Sequence, residues 1–277
     1  MVPRPSPQIN LLNTRGYLIW VSNINHQPLP HQGGRRRFFA PPDQITGSAI
    51  RLSASETHHL ARVLRLGIGA RVEIFDGQGQ EYEAEVRALE AGEARLQIIR
   101  VLPERAPAAL FLTLGLALAR AETFELVVRQ ATEMGVTRLI PFYCERSLVN
   151  PAGRQTSRQR RWQRLALETL KSCQRSRLPE IHLPQSFAEV LQGPEAVKIM
   201  FWEEKRSQPP GRLLSLTPPA SVRLLIGPEG GFTAAEAQQA QTAGFVLAGL
   251  GPWRLKVETA ALAALAIIQY AWGELAR

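Results

Sequence analysis

The chain has 277 residues, 45% of them hydrophobic, which suits two modest domains with their own cores. Its formal net charge of +9 and sequence pI of about 10.3 favour a polyanionic partner such as nucleic acid, the alternative being a merely basic protein. Two cysteines exclude a disulfide framework or zinc cluster and indicate a reducing cytoplasm, and no apolar run is long enough to span a membrane.

The first 35 residues differ in composition from the rest of the chain. They contain several prolines and asparagines and one short apolar run, residues 17–21. No long apolar segment follows Arg4, which argues against a signal peptide. We interpret residues 1–35 as a disordered extension or as the product of an upstream start codon.

Residues 36–103 have the pattern of a small β-barrel. Stretches of strand composition, several with period-two alternation, are separated by turns that contain glycine. Ser53 and Glu56 have capping-box spacing, which predicts a short helix through Arg65. Arg62 and Arg65 are three residues apart, so we expect them to share a helix face that contacts RNA phosphates or is simply solvated.

Strands alternate with helices over residues 106–277, which predicts a parallel α/β sheet. A continuous apolar run at 110–118 predicts a buried strand, and residues 121–134 a helix that ends at Gly135. Residues 159–174 predict a helix with a basic face. The cations of that face and its continuation are Arg160, Arg161, Arg164, Lys171, Arg175 and Arg177, which favours attraction of RNA, a solvated face being the alternative.

Two strand–loop–helix units near the end of the chain are the most informative feature. Residues 222–226 predict a buried strand, 227–231 a glycine-rich loop, and Thr233 with Glu236 a capping box at the start of a helix. Residues 245–257 repeat the strand and loop before an apolar helix. A plain tight turn is the alternative at each loop. Neither loop has the Gly-Lys-Ser/Thr of a P-loop or the spacing of a Rossmann dinucleotide site.

These loops carry a family resemblance. Leu225-Ile-Gly-Pro-Glu-Gly-Gly231, together with Leu250-Gly-Pro-x-x-Leu255-x-x-Glu258-Thr259-Ala260, resembles the SPOUT-class RNA methyltransferases and, more closely, the RsmE family, which methylates N3 of a uridine in 16S rRNA. The stretch from Glu56 to Gly69 resembles that family's N-terminal motif. Further similar motifs lie at 75–77, 130–136 and 175–181, and the resemblance covers residues 36–272.

The resemblance implies a fold, a cofactor and partners. The fold is α/β: a C-terminal SPOUT trefoil-knot domain at 106–277 with a parallel sheet, preceded by a PUA-like RNA-binding β-barrel at 36–103. S-adenosylmethionine is the implied cofactor, without a metal, and 16S rRNA in the small ribosomal subunit the implied substrate. Members form homodimers through the knotted region, and we expect the apolar helix from Glu258 to Ala271 to form much of that interface.

The same resemblance implies roles for individual residues. Catalytic candidates are Arg254, Lys256, Glu258 and Arg175, because loss of the uracil N3 proton leaves negative charge that cations stabilise. Cofactor-binding candidates are Trp202, Glu203, Ile226, Gly227, Pro228, Glu229, Gly230, Gly231, Leu250, Gly251, Leu255, Thr259 and Ala260, and we expect Gly230→Val to abolish cofactor binding. RNA-binding candidates are Arg62, Arg65, Arg120, Arg164 and Arg177, Arg120 being a further cation near the reaction.

This sequence departs from the family pattern at several positions. Relatives usually carry arginine where Trp253 and Lys256 stand, and Glu-Gln where Lys171-Ser172 stand. Lysine does not reproduce the bidentate geometry of arginine. Two other functions therefore remain open: methylation of another base or of a ribose 2′-OH in rRNA or tRNA, and an RNA-binding ribosome-assembly factor with weak catalysis.

Overall fold

The computed structural model describes residues 36–103, 108, 110–147, 155–205, 211 and 217–275. Our interpretation of residues 1–35 lies outside the described residues. Within the described ranges, one β-sheet is formed between residues 37 and 101 and a second between residues 111 and 248.

The first sheet is mixed and mostly antiparallel. Its strands are β1 (Arg37–Phe39), β2 (Ile45–Thr46), β3 (Ala49–Leu52), β4 (Arg71–Phe75), β5 (Glu81–Glu90) and β6 (Glu93–Val101), in the order β1-β4-β5-β6-β3-β2. Alternation along β3 buries Ile50 and Leu52 and exposes Arg51, as the period-two pattern predicts. The buried side chains form one apolar core that includes Phe38 and Ile74.

The helix expected in this region is shorter than predicted. Helix α1 spans Ala54–His58, and Ser53 Oγ accepts a hydrogen bond from the Glu56 amide at 3.3 Å. A π-helical turn then follows over His59–Val63. Because the Glu56 carboxylate contacts Lys171 instead of completing the capping box, the helix start is only half of the expected motif.

The prediction that Arg62 and Arg65 share a helix face is wrong. Arg65 has φ 53°, which places it beyond the helical turn, although both arginines are exposed. His59 packs edge-on against Phe38 with ring centroids 5.8 Å apart. The histidine is therefore a packing residue of this core.

The second sheet is parallel throughout, which confirms the α/β prediction. Its strands are β7 (Phe111–Ala117), β8 (Arg138–Tyr143), β9 (Glu180–Ile181), β10 (Gln185–Ser186), β11 (Val197–Phe201), β12 (Ser221–Ile226) and β13 (Val246–Ala248). The order is β10-β8-β7-β12-β11-β13, with β9 also paired to β8. The knotted path of the chain stays a prediction.

Helices cover both faces of this sheet. They are α2 (Ala121–Glu133), α3 (Gln155–Cys173), α4 (Phe187–Val190), α5 (Ala234–Thr242) and α6 (Val257–Trp272). One core joins the sheet to α2, α3 and α6, with Phe124 and Trp162 in contact at 4.4 Å between ring centroids. A second core contains Phe142, Phe187 and Phe232 and joins the sheet to α4 and α5.

The basic face expected on α3 is interrupted by ion pairs. Arg161 Nε lies 2.5 Å from the Glu125 carboxylate of α2. Arg160 and Arg164 are exposed. Since carboxylates neutralise part of this face, its attraction for RNA is weaker than the sequence suggests.

A polar junction joins the end of α3 to the first sheet. Arg37, with a side chain 4% exposed, donates to Glu81 at 2.8 Å and to the Leu170 carbonyl at 3.1 Å. Lys171 Nζ lies 2.5 Å from Glu56. Burial lowers the pKa of Lys171, but hydrogen bonds to Glu56 and Glu168 outweigh burial and raise it from its ordinary value. Lys171, which stands where relatives usually carry glutamate, is thus paired with Glu56.

We expect Lys171→Met to lower the free energy of unfolding by about 3 kcal/mol, because Glu56 is then left buried without a cation. Denaturant unfolding measures this loss. Glu56→Gln combined with Lys171→Met should cost less than Lys171→Met alone. Arg95→Met is the control, since Arg95 and its partner Glu90 are both more than half exposed and ion pairs of that kind contribute little to stability. Equal losses in the Lys171 and Arg95 variants would contradict the junction.

Candidate active site

The carboxyl ends of four parallel strands meet at one edge of the second sheet. Phe201 at the end of β11 pairs with Ile226 of β12 and with Ala248 of β13, and Ile226 pairs with Leu116 of β7. Ligands in open α/β sheets bind in crevices at this end of the strands. The loops that follow these strands include both glycine loops singled out from the sequence.

A cavity of about 510 Å³ lies between these loops. Its volume falls in the range of small-molecule sites. Eleven of the thirteen predicted cofactor-binding residues line it: Trp202, Glu203, Ile226, Gly227, Pro228, Glu229, Gly231, Leu250, Gly251, Leu255 and Ala260. Two loops 25 residues or so apart in sequence therefore form one surface, as their shared position at the sheet edge predicts.

The other two predicted cofactor residues do not line the cavity. A Cβ atom on Gly230 would lie 3.0 Å from the Cβ of Arg146, whose Nη1 donates to the Gly230 carbonyl at 3.0 Å. Thr259 is exposed on α6. A valine at position 230 would therefore press against Arg146, in the loop that follows β8, and would not fill the cavity. The expected loss of cofactor binding in Gly230→Val stays a prediction.

Gly231 lines the cavity in a conformation that favours glycine, as does Gly251 at φ 100°. The φ of Gly231 is 70°, and a Cβ atom there would lie 2.0 Å from Glu203 Oε1. The indole of Trp202 donates to the Phe232 carbonyl at 3.2 Å. These contacts bring the loop after β11 against the loop after β12, and an L side chain at position 231 would both strain the backbone and displace Glu203.

The capping box predicted at the start of α5 is present. Thr233 accepts from the Glu236 amide, and the Glu236 carboxylate accepts from the Thr233 amide. Glu236 Oε1 also accepts from the Glu145 amide at 2.8 Å, which ties in the loop after β8. In that loop, burial raises the pKa of Cys144 to about 11, so its thiol is protonated at neutral pH.

Cations and carboxylates share the cavity wall. Arg120, Arg254 and Lys256 all line it and are exposed. Glu229 connects two of them: its Oε1 accepts from the Arg120 amide at 3.1 Å, and its carbonyl accepts from Arg254 Nη2 at 3.4 Å. Glu203 and Glu258 are the other carboxylates of the lining.

The structure does not bring Arg175 to the cavity. Its guanidinium lies 2.6 Å from Glu274 and covers Gly135 at the end of α2. Arg164 is exposed on α3, and the Arg177 side chain lies against Gly79 of the first sheet's β4–β5 loop. Of the predicted catalytic residues, Arg254, Lys256 and Glu258 lie together; of the predicted RNA-binding residues, Arg120 joins them.

Sequence reasoning missed four lining positions as cofactor or catalytic candidates. They are Thr123, Phe201, Trp253 and Val257. Phe201 is the last residue of a strand whose end faces the glycine loops, so strand order would have indicated it. Thr123 lies in the first turn of α2, and nothing local to it in the sequence indicates the cavity.

Neither a metal-binding cluster nor a membrane-spanning helix is present in the described part of the chain. No group of three or more His, Cys, Asp or Glu side chains there is arranged to hold a metal ion. No helix in the described part of the chain has both the length and the apolar character that crossing a bilayer requires.

Known families match both parts of the chain. A family described as RNA methyltransferase domain matches residues 106–269, and one described as RNA methyltransferase PUA domain matches residues 52–99. The ribosomal RNA small subunit methyltransferase E of Synechocystis sp. is 33% identical over 236 residues, covering 84% of this chain and 76% of the relative. The Bacillus subtilis protein of that name is 28% identical, covering 83% and 91%.

Solved structures give the same result. A ribosomal RNA small subunit methyltransferase E from Neisseria gonorrhoeae, bound to S-adenosyl methionine, superposes with a TM-score of 0.78 at 27% identity, covering 87% of this chain and 99% of that one. A putative methyltransferase from Legionella pneumophila in complex with bound SAM gives 0.75 at 27% identity, covering 87% and 99%. The chain therefore belongs to the RsmE family of RNA methyltransferases, with a PUA domain ahead of its methyltransferase domain.

Proposed function

We propose that this enzyme transfers the methyl group of S-adenosylmethionine to N3 of a uridine in 16S rRNA of the small ribosomal subunit, in the cytoplasm. The observation that carries the proposal is the cavity at the sheet edge, where cofactor-type glycine loops and three cations meet. The names of the relatives at 33% and 28% identity support the substrate class. The target nucleotide is inferred from the family resemblance.

The residues present fit S-adenosylmethionine. Gly227 and Gly231 line the cavity and carry no side chain of their own, so a ligand can approach their backbone closely. Phe201, Ile226 and Leu250 supply apolar surface. Glu229 Oε2 is buried and has no hydrogen-bond partner within the described residues, so it is suited to the cationic parts of the cofactor.

Three exposed cations of the lining suit the RNA side of the reaction. Bound S-adenosylmethionine would supply the methyl group from a sulfonium, and the neutral thioether that remains is a good leaving group. Uracil N3 becomes nucleophilic when it loses its proton, and the charge then spreads onto O2 and O4. Because Arg120, Arg254 and Lys256 line the cavity, we infer that they stabilise that charge, and that Glu258, the lining carboxylate nearest to Arg254 and Lys256 in sequence, accepts the proton. The base must leave its pairing to reach them.

Mapping the modification decides between the three functions. In a strain that lacks the gene, reverse transcription and mass spectrometry of 16S rRNA should show loss of one N3-methyluridine, restored by the wild-type gene. Loss of a methyl group from another base or from a ribose 2′-OH would favour the related methyltransferase. Unchanged methylation with defective subunits would favour the assembly factor.

We further propose that the enzyme is a homodimer. Helix α6 buries Ala261, Ala264 and Leu265 in the core. On its outer side Leu262 and Tyr270 are 37% and 69% exposed. Such apolar exposure is typical of a surface that a second copy covers.

Sedimentation at low micromolar concentration is expected to give a dimer. Leu262→Glu combined with Tyr270→Glu should yield a monomer, because two buried carboxylates per subunit would then oppose association. Leu183→Glu, at an exposed residue beyond β9, is the control. A monomeric wild-type enzyme at that concentration would contradict the proposed homodimer.

RNA binding should depend strongly on salt through Arg62 and Arg65. Removing one arginine that neutralises a phosphate should reduce the slope of log K against log salt by about 0.7 to 0.9, so Arg62→Ala with Arg65→Ala should reduce it by about 1.5. Filter binding of 16S rRNA fragments measures the slope, and cofactor affinity should not change. Arg129→Ala, at an exposed arginine of α2, controls for the change in net charge. An unaltered slope in the double variant would mean that Arg62 and Arg65 are only solvated.

A further inference from the structure

Trp253 is a tryptophan held in solvent at the mouth of the cavity. It is 80% exposed, more than any other large hydrophobic side chain in the described residues. It lines the cavity within the loop after β13, next to Arg254. Exposure of an apolar indole to water is unfavourable in free energy. A ligand with a flat apolar face that covered the ring would remove this cost.

The other aromatic side chains of the lining are already committed to packing. Phe201 is 7% exposed and belongs to the core between the sheet and α6. Trp202 packs on the second core and donates its indole N–H to Phe232. Trp253 belongs to none of the three described cores. It is therefore the aromatic ring of the lining whose face is open to a substrate.

The surroundings of Trp253 define the chemistry of that substrate. Arg120, Arg254 and Lys256 lie in the same lining. An aromatic face among cations is the composition of single-stranded nucleic acid sites, where phosphates meet the cations and bases stack on the ring. Arg254 adjoins the ring in sequence, so one loop residue offers a stacking face and the next a positive charge.

We propose that Trp253 stacks on an unpaired base of the RNA substrate at the mouth of the cavity and so positions the target for methyl transfer. This inference rests on the proposed function, since it assigns the ring to the RNA and not to the cofactor. A base that has left its duplex no longer stacks on its neighbours, and the indole replaces that stacking. Trp253 thereby determines substrate recognition without taking part in the chemical step.

Steady-state kinetics with small subunits or 16S rRNA as substrate test the proposal. Trp253→Leu keeps an apolar side chain but removes the aromatic face, and it should raise KM for RNA by about 10- to 100-fold. Trp253→Phe keeps an aromatic face and should stay within about fivefold of the wild type. Calorimetry should give the same S-adenosylmethionine affinity in both variants. Leu183→Ala, at an exposed apolar residue after β9, should leave KM unchanged.

Fluorescence gives a readout that is independent of activity. The described tryptophans other than Trp253 are buried or half-buried, namely Trp162, Trp202 and Trp272. Titration with a single-stranded uridine-containing oligonucleotide should quench the wild-type emission, and Trp253→Phe should lose most of that quenching. Retained quenching in this variant would overturn the proposal.

Two further outcomes, one kinetic and one calorimetric, would also overturn it. One is a wild-type KM for RNA in Trp253→Leu, and the other is a loss of cofactor affinity in that variant at unchanged KM for RNA, which would place the ring over the cofactor. If the wild-type enzyme transfers no methyl group, the proposed function fails, and the quenching experiment still decides whether Trp253 stacks on RNA.

Discussion

Replacing Gly231 with alanine is expected to weaken S-adenosylmethionine binding by about 100-fold, which corresponds to about 2.7 kcal/mol. The residue lines the cavity at φ 70°, and an added Cβ atom would lie 2.0 Å from Glu203 Oε1. Both the loop after β12 and the Glu203 side chain would have to shift. Isothermal titration calorimetry of the purified protein measures the change directly.

Gly244→Ala is the matched control for this variant. Gly244 follows α5 at φ 86°, so alanine is similarly strained there, but no atom lies within 4 Å of the added Cβ. Each substitution should cost about 1 kcal/mol or more of stability through the backbone. Only Gly231→Ala should reduce cofactor affinity. Equal affinity in the two variants would show that the cavity at the sheet edge does not hold the cofactor.

Replacing Arg254 with alanine is expected to lower kcat by about 10²- to 10³-fold, the usual effect of removing one group that stabilises charge in the transition state. Arg254 lines the cavity and reaches the Glu229 carbonyl at 3.4 Å, so its guanidinium is held beside the glycine loop. Cofactor affinity should remain within a few-fold. Single-turnover methylation of small subunits separates the chemical step from substrate binding.

Arg175→Ala distinguishes a local effect from a general loss of positive charge. Arg175 is paired with Glu274 away from the cavity, so its removal should leave kcat within a few-fold of the wild type. Arg254→Lys should recover only part of the activity, because lysine keeps the charge without the planar fork of donors. A large fall in kcat for Arg175→Ala, with none for Arg254→Ala, would reverse the catalytic assignment.

The features that the sequence predicts well are those that depend on neighbouring residues. The capping box of Thr233 and Glu236 is a pattern of four consecutive positions, and it is present in the structure. The apolar run of β7 and the turn at Gly135 are equally local, and both occur as predicted. The two glycine loops line one cavity because parallel strands deliver their carboxyl ends to one edge of a sheet.

The features that the sequence did not predict depend on contacts between distant residues. Arg175 is the first residue of a stretch that resembles a family motif, but its side chain pairs with Glu274, 99 residues away. Gly230 belongs to the same loop as Gly231, yet it faces Arg146. Residues three apart, such as Arg62 and Arg65, share a face only in a regular α-helix. Here the chain forms a π-helical turn and then has φ 53° at Arg65, so the two side chains do not share a helix face.

The ion pair of Lys171 with Glu56 limits how freely this protein can exchange parts with its relatives. The two residues are 115 positions apart, one in the methyltransferase domain and one in the PUA domain. A chimera that receives a barrel without a carboxylate at position 56 would retain a half-buried lysine with one fewer counter-charge. A functional chimera therefore has to change residue 171 of the methyltransferase domain whenever it changes the PUA domain.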